Sequence, residues 1–317
     1  MLVKLGSSDL MVSPVAMGCW PIAGMTSLDV NESDSLNTLN AAVDCGINFF
    51  DTAYCYGTDG VSERLLGQCA AGRRDQLVIA TKCGVHWDQD GGKVIDGSSD
   101  RILSECDQSL QRMGIDHIDL MYLHRPDPRT PIAESAAALA TLQKQGKIRY
   151  AGVSNVTPAE LIEFHAVCPV VAAQLPFNLV QQQTRRDFGH WCAEQNVAIC
   201  CYWPLMKGLL AGRIRRDFVF DPADKRRGYE IFQGENFLQA QDMLDELDAI
   251  AHQHQLTISQ LVIVWTIAQS CITVAFCGAK RAWQISETAK AMECQLSDET
   301  LKNIGQLARS RFASAAQ

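Results

Sequence analysis

The chain has 317 residues, 47% hydrophobic and 20% charged, with a formal net charge of −8 and a pI near 5.4. That composition supports a large folded core, and the acidic balance argues against a nucleic-acid or anionic-membrane partner while leaving room for a local basic pocket. Length alone suggests about two domains, yet α/β barrels reach this size as one. With no linker, low-complexity tract or short-period repeat, residues 1–317 are expected to form one domain.

The opening MLVKLGSSDL lacks the apolar core of a signal peptide. VAMG (15–18) reads as the first buried strand. SDSLNTLNAAVDCG follows as a helix, with Ser/Asp start signals and a glycine stop. INFF (47–50) is the second strand and runs into Asp51. LVIAT (77–81) is the third and runs into Lys82. SSDRILSECDQSLQRMG is the next helix, again ending at Gly. IDLMYL (118–123) leads to His124, and TPIAESAAALATLQKQGK places Pro131 near its first turn and Gly146 at its end. IRYAGV (148–153), the helix TPAELIEFHAV, VVAAQL (170–175), the helix QTRRDFGHWCAEQN and VAICCY (197–202) continue the rhythm. Residues 207–236, rich in Arg, Gly and Asp, form one long irregular stretch, of a length usually reserved for function or disorder. The helices ENFLQAQDMLDELDAIAHQHQ and TISQLVIVWTIAQS precede the last strand, CITVAF (271–276).

The strand runs are short and alternate little, as parallel strands buried on both faces do. Eight strand–helix units with short loops predict a single closed (β/α)8 TIM barrel. The competing fold is an open doubly wound sheet, but VAMGCWPIAGM is not the G-x-G-x-x-G turn of that fold.

Thirteen cysteines are scattered, with no Cys-x-x-Cys pair and no zinc-finger spacing, so no metal is expected. An odd count and no leader imply free thiols in a reducing, cytoplasmic compartment. Cys200 and Cys201 lie in a strand run and are read as packing. No long uncharged apolar span occurs, so no membrane partner is expected.

Active sites of such barrels form at the carboxyl ends of the strands. Asp51, Lys82 and His124 end strands two, three and four, Ser154 and Asn155 follow strand five, and Gln174 closes strand six. Singly, each has a plain reading as turn, surface or core chemistry. Together they converge on one rim.

The motifs DTAYCYG, IATKCG, LHRPDP, YAGVSN and AFCGAKRAWQISETAKA resemble, in order and across nearly the whole length, those of the aldo-keto reductase family. The start, VKLGSSDLMVSPVAMGCW, resembles the family's short N-terminal β-hairpin, which closes the bottom of the barrel. The resemblance implies a catalytic tetrad of Asp51, Tyr56, Lys82 and His124. The implied chemistry is carbonyl reduction, with Tyr56 as acid, Lys82 lowering its pKa, Asp51 orienting Lys82, and His124 donating to the substrate oxygen. Schiff-base chemistry at Lys82 is an alternative that leaves the cofactor-like motifs unexplained.

The same resemblance implies NADP(H). Ser154, Asn155 and Gln174 would bond the carboxamide, and Tyr202 would stack on the nicotinamide. Trp203, Pro204, Leu205 and Arg213 would approach the pyrophosphate. Gly278, Lys280, Arg281, Gln284 and Glu287 would meet the adenosine phosphate, with Thr288 against the adenine in a weaker contact. A basic pair at a helix start is disfavoured by the helix dipole, which makes sense if Lys280 and Arg281 meet a phosphate. Two positions depart from the family: Thr288 stands where Asn is frequent, and Trp203 where a small residue is common.

Trp20 and Trp87, on rim loops, are candidate walls of a substrate pocket. Arg125 either faces the substrate or pairs with Asp127. The partner is a small-molecule carbonyl or alcohol, with aldose oxidation at the lactol carbon as an alternative. Potassium-channel β-subunits also resemble this family, so a cofactor-binding redox sensor is the non-enzyme alternative. Neither oligomeric state nor the role of the tail RSRFASAAQ is readable.

Overall fold

The computed structural model describes residues 1–24 and 29–312. The chain opens with a hairpin, β1 (Val3–Lys4) and β2 (Met11–Val12), paired antiparallel. Eight further strands close a parallel barrel: β3 (Val15–Gly18), β4 (Phe49–Asp51), β5 (Val78–Cys83), β8 (Ile118–Leu123), β9 (Ile148–Ser154), β10 (Val170–Pro176), β11 (Ala198–Tyr202) and β12 (Val274–Gly278), the last pairing with the first. Between β5 and β8 lies a second small hairpin, β6 (Val85–Trp87) with β7 (Lys93–Ile95). The expected (β/α)8 barrel, its N-terminal hairpin and the irregular stretch after the seventh barrel strand are all present.

The described helices are α1 (Glu32–Asp44), α2 (Val61–Ala70), α3 (Ser99–Met113), α4 (Ile132–Lys144), α5 (Pro158–Val167), α6 (Gln183–Glu194), α7 (Gly234–Gln253), α8 (Ile258–Ile267), α9 (Ala282–Ala289) and α10 (Asp298–Arg311). Capping follows local sequence. Asn31 accepts from Asp34 N, and Thr157 with Glu160 and Thr257 with Gln260 form capping boxes. Pro131 is the N-cap of α4, immediately before its first turn. The eighth barrel strand starts at Val274, so Cys271–Thr273 lie outside it. Of the tail, Arg309–Arg311 end α10, and residues 313–317 lie outside the described residues.

Two apolar layers result. Inward residues Ala16, Phe49, Ala80, Leu120, Tyr122, Ala172, Cys200 and Phe276 fill the barrel, while outward residues such as Met17, Phe50, Ile79, Met121 and Cys201 pack under the helices. The first hairpin plugs the bottom with Leu5, Leu10 and Val12, each at most 3% exposed. Gly6 allows that plug: its φ is 54°, and a Cβ there would sit 2.2 Å from the Val171 carbonyl oxygen. All thirteen cysteines are free thiols. Among the described residues no helix is long and apolar enough to cross a membrane.

Candidate active site

Strand alternation places the polar residues. Phe49, Ala80, Tyr122, Ala172 and Cys200 point into the barrel. Two residues further along each strand stand Asp51, Lys82, His124, Gln174 and Tyr202, on the same inward face at the carboxyl ends. Gly18 and Gly278, paired with each other, end their strands without a side chain, and a Cβ on Gly278 would lie 2.8 Å from the Pro21 ring.

Lys82 is the hub. Its side chain is fully buried, and Nζ lies 2.7 Å from Asp51 Oδ2, 2.7 Å from the Thr52 carbonyl and 3.0 Å from the Tyr56 hydroxyl. An ammonium has three donors and no acceptor, so all three are used. Asp51 Oδ1 accepts from Gln174 Nε2 at 2.8 Å. Burial raises the Asp51 pKa, against the charge and hydrogen bond of Lys82 and the bond from Gln174. Burial also raises Tyr56 well above the ordinary phenol value, and the Asp51 charge adds to the rise. The expected lowering by Lys82 is therefore absent: the carboxylate beside Lys82 cancels much of its field, and desolvation dominates.

Tyr56 is carried by the segment between β4 and α2. Its N–H bonds the Ala53 carbonyl at 3.0 Å, and Gly57 follows at φ 82°. Thr52 Oγ1 donates to Ser62 Oγ at 2.8 Å and ties the segment to α2. Trp20 packs edge-on against Tyr56 with ring centroids 4.9 Å apart. Trp87 lies in β6 of the second hairpin, not on a loop, and its indole N–H donates to the Cys55 carbonyl at 2.8 Å. Both tryptophans join the small apolar cluster of Ala53, Cys55, Tyr56 and Val85.

His124 stands 5.9 Å from Tyr56, centroid to centroid. Burial drives its pKa well below the usual value, helped by the charges of Lys82, Lys93 and Arg125, so the ring is neutral. Its Nδ1 meets Cys55 Sγ at 3.6 Å, a contact the sequence reading missed. Asn155, at φ 55°, donates to the His124 carbonyl at 2.9 Å and to Ser154 Oγ, and accepts from the Tyr202 hydroxyl at 2.8 Å. Ser154 Oγ donates to the Gln174 carbonyl at 3.0 Å. Arg125 is exposed and does not pair with Asp127. That carboxylate is held by Arg129 Nε at 3.1 Å and by the Gly97 and Arg129 amides.

After β11 the backbone is left-handed at Trp203, Met206 and Lys207, a conformation costing non-glycine residues about 1–3 kcal/mol each and concentrated at functional sites. Pro204 is buried and Leu205 half-buried. Lys207, unforeseen from sequence, lies 3.1 Å from the Trp203 ring centroid and 4.0 Å from that of Tyr229, and burial lowers its pKa to about 8. Arg213 is exposed, stacked on Trp283 and 3.2 Å from Glu287 Oε2. Gln284 Oε1 accepts from the Lys280 and Arg281 amides at 2.9 and 3.1 Å. Arg281 donates to the Asp29 carbonyl at 2.8 Å and lies 3.5 Å from Asp34 Oδ2. Burial would raise Glu287, but hydrogen bonds from Ser259, Thr257 and Arg213 hold it below the usual carboxyl value. Thr288 is only 6% exposed, and its hydroxyl donates to the Gln284 and Ile285 carbonyls of its own helix.

A closed parallel barrel with a buried Lys–Asp pair, a tyrosine and a neutral histidine at its carboxyl mouth defines a (β/α)8 protein with acid–base groups gathered on one axis. The Aldo/keto reductase family model matches residues 14–309, and the chain belongs to that family, whose members are oxidoreductases acting on carbonyl groups with nicotinamide cofactors. It is 33% identical over 311 residues to an NADH-specific methylglyoxal reductase of Escherichia coli, covering 93% of this chain and 94% of the relative. It is 33% identical to the Schizosaccharomyces pombe aldo-keto reductase yakc [NADP(+)], covering 95% and 89%. Among solved structures, the glycerol dehydrogenase AKR11B4 from Gluconobacter oxydans superposes with a TM-score of 0.91 at 31% identity, covering 98% of this chain and 95% of that one.

Proposed function

We propose that this chain is an NADP(H)-dependent reductase of aldehydes or ketones, formed as one domain, with Tyr56 as the proton donor. The observation that carries the reading is the Tyr56 hydroxyl 3.0 Å from Lys82 Nζ. Lysine can only donate, so the Tyr56 oxygen accepts. Its own proton is then left for an incoming oxygen. Carbonyl reduction places negative charge on that oxygen, and a preorganised donor in a dry site meets it. His124, neutral and beside Tyr56, supplies a second donor. Asp51 and Gln174 hold Lys82 in place.

The raised Tyr56 pKa keeps the phenol protonated at neutral pH, which is the state an acid role requires. Schiff-base chemistry would need a free amine lone pair at Lys82, whereas its ammonium is donated to three oxygens. The complete donor set favours an enzyme over a cofactor-bound sensor.

When bound, a nicotinamide nucleotide supplies the hydride. The residues present suit one. Ser154, Asn155 and Gln174 offer amide and hydroxyl groups at the mouth, Tyr202 offers a half-buried ring, and Trp203–Leu205 and Gly278 offer backbone. Arg213 and Arg281 rest on partly exposed ion pairs worth under about 1 kcal/mol, which a phosphate can displace. Lys280, Arg281, Gln284 and Glu287 would receive the adenosine end, and the Lys280–Arg281 pair supports the 2′-phosphorylated form. Trp20 and Trp87 would wall the substrate pocket with Arg125 at its edge. A second reading, oxidation of a polyol or aldose, is favoured by the similarity to the Gluconobacter glycerol dehydrogenase.

The test is steady-state turnover of NADPH and NADH, in parallel, across aldehydes, ketones, methylglyoxal and open-chain sugars. The reading expects carbonyl-dependent oxidation faster with NADPH. Cofactor bound but consumed by no carbonyl would overturn it.

A further inference from the structure

The Tyr56 proton transfer leaves two things unassigned: the thiol of Cys55 and the tautomer of His124. A neutral imidazole carries one N–H and one lone pair, and the partner of one nitrogen decides what the other can do. Two common partners of a histidine Nδ1 would be wrong here. A backbone carbonyl would take an Nδ1 proton and leave Nε2 as a lone pair facing the substrate oxygen. A carboxylate would favour the charged ring. A donor to Nδ1 is the partner that places the single proton on Nε2.

Cys55 is placed to be such a donor. It is 2% exposed, and its Sγ lies 3.6 Å from Nδ1, within reach for a sulfur hydrogen bond. Burial raises its pKa to about 11, against the opposing charges of Lys93 and Lys82, so the thiol keeps its proton. Nε2 makes no hydrogen bond among the described residues. Both ends of the contact are anchored through backbone. The Cys55 carbonyl is held by Trp87 Nε1 at 2.8 Å. The His124 amide bonds the Cys83 carbonyl at 2.9 Å, and the His124 carbonyl accepts from Asn155 at 2.9 Å.

We propose that Cys55 is a positioning residue that donates S–H to Nδ1 and holds His124 as the Nε2–H tautomer, so that His124 meets the substrate oxygen as a donor beside the Tyr56 hydroxyl. The use of that donor rests on the carbonyl-reduction reading above; the tautomer itself does not. The second hairpin thereby gains a role, because Trp87 fixes the segment that carries the thiol.

The experiment compares wild type, Cys55→Ser and Cys55→Ala by long-range 1H–15N NMR of the 15N-histidine-labelled full chain, without cofactor. The His124 signals are assigned by their loss in His124→Gln. Wild type and Cys55→Ser, which keeps a donor, are expected to show the Nε2–H tautomer alone, and Cys55→Ala a mixture of both. An Nδ1–H tautomer in wild type, or an unchanged tautomer in Cys55→Ala, overturns the proposal. In turnover, Cys55→Ala is expected to lose roughly tenfold in kcat at unchanged cofactor affinity, with serine restoring most of it. Equal kcat in wild type and Cys55→Ala overturns the catalytic use of the tautomer. Failure of wild type to reduce any carbonyl strikes the carbonyl-reduction reading, while the NMR result still decides the tautomer.

Discussion

Lys82 Nζ is enclosed by three oxygens and has no exposed side-chain surface. Removing one partner of a buried ion pair strands the other charge, at a cost of about 3–5 kcal/mol. Lys82→Met is therefore expected to lower stability to urea by that amount and to abolish carbonyl reduction. Adding Asp51→Asn, which removes the stranded charge and keeps an acceptor for Gln174, is expected to recover most of the stability and none of the activity. A single variant as stable as wild type would contradict the buried pair. These residues were legible in the sequence because each is the first charged residue after a strand-like run. Cys55 was not legible: a thiol in DTAYCYG gives no sign of which ring nitrogen it meets until the fourth barrel strand is set beside it.

At the scale of elements, α3 and the second hairpin meet over a buried carboxyl. Glu105 is fully buried. Its Oε2 accepts from the Gly84 amide at 2.6 Å, and Oε1 lies 3.5 Å from His86 Nδ1 and 3.9 Å from Arg101 Nε. Burial raises its pKa to about 8, against the Gly84 bond and Arg101, with Glu63 and Asp96 adding to the rise. The unfolded chain ionises this group near pH 4.5, so between about 4.5 and 8 the folded state holds more protons than the unfolded. The contribution of Glu105 to stability thus falls as pH rises through that window. Glu105→Gln is expected to remove this slope, so that its stability relative to wild type rises from pH 5 to pH 8 in urea titrations. A constant difference would contradict the assignment. Neither the hairpin nor α2 was read from sequence. Strands of three residues carry no periodic signal, and VSERLLGQCA is a short helix entered through Gly60 at φ 65° without a polar cap. The barrel strands were readable because both of their faces are buried, and that same property hid the inward register that sets Asp51, Lys82 and His124 on one axis.

Across the whole molecule, the hairpin plugs the bottom of the barrel, and the proposed chemistry lies at the opposite, carboxyl end. Cofactor preference belongs to this scale, because Arg281 bridges α9 to the Asp29 carbonyl and to Asp34 of α1, while Arg213 joins the irregular stretch to Glu287 of α9. Lys280→Ala combined with Arg281→Ala is expected to weaken NADPH binding by at least tenfold, about 1.4 kcal/mol, with little change for NADH in fluorescence titrations. Equal losses for both would assign the pair to structure instead. The central claim, that Tyr56 delivers the proton, is tested most directly by single-turnover reduction in Tyr56→Phe. That variant keeps the ring against Trp20 and removes only the hydroxyl. The expected result is a loss of about 10²–10⁴-fold in the reduction step with NADPH affinity unchanged; a rate near wild type would contradict it.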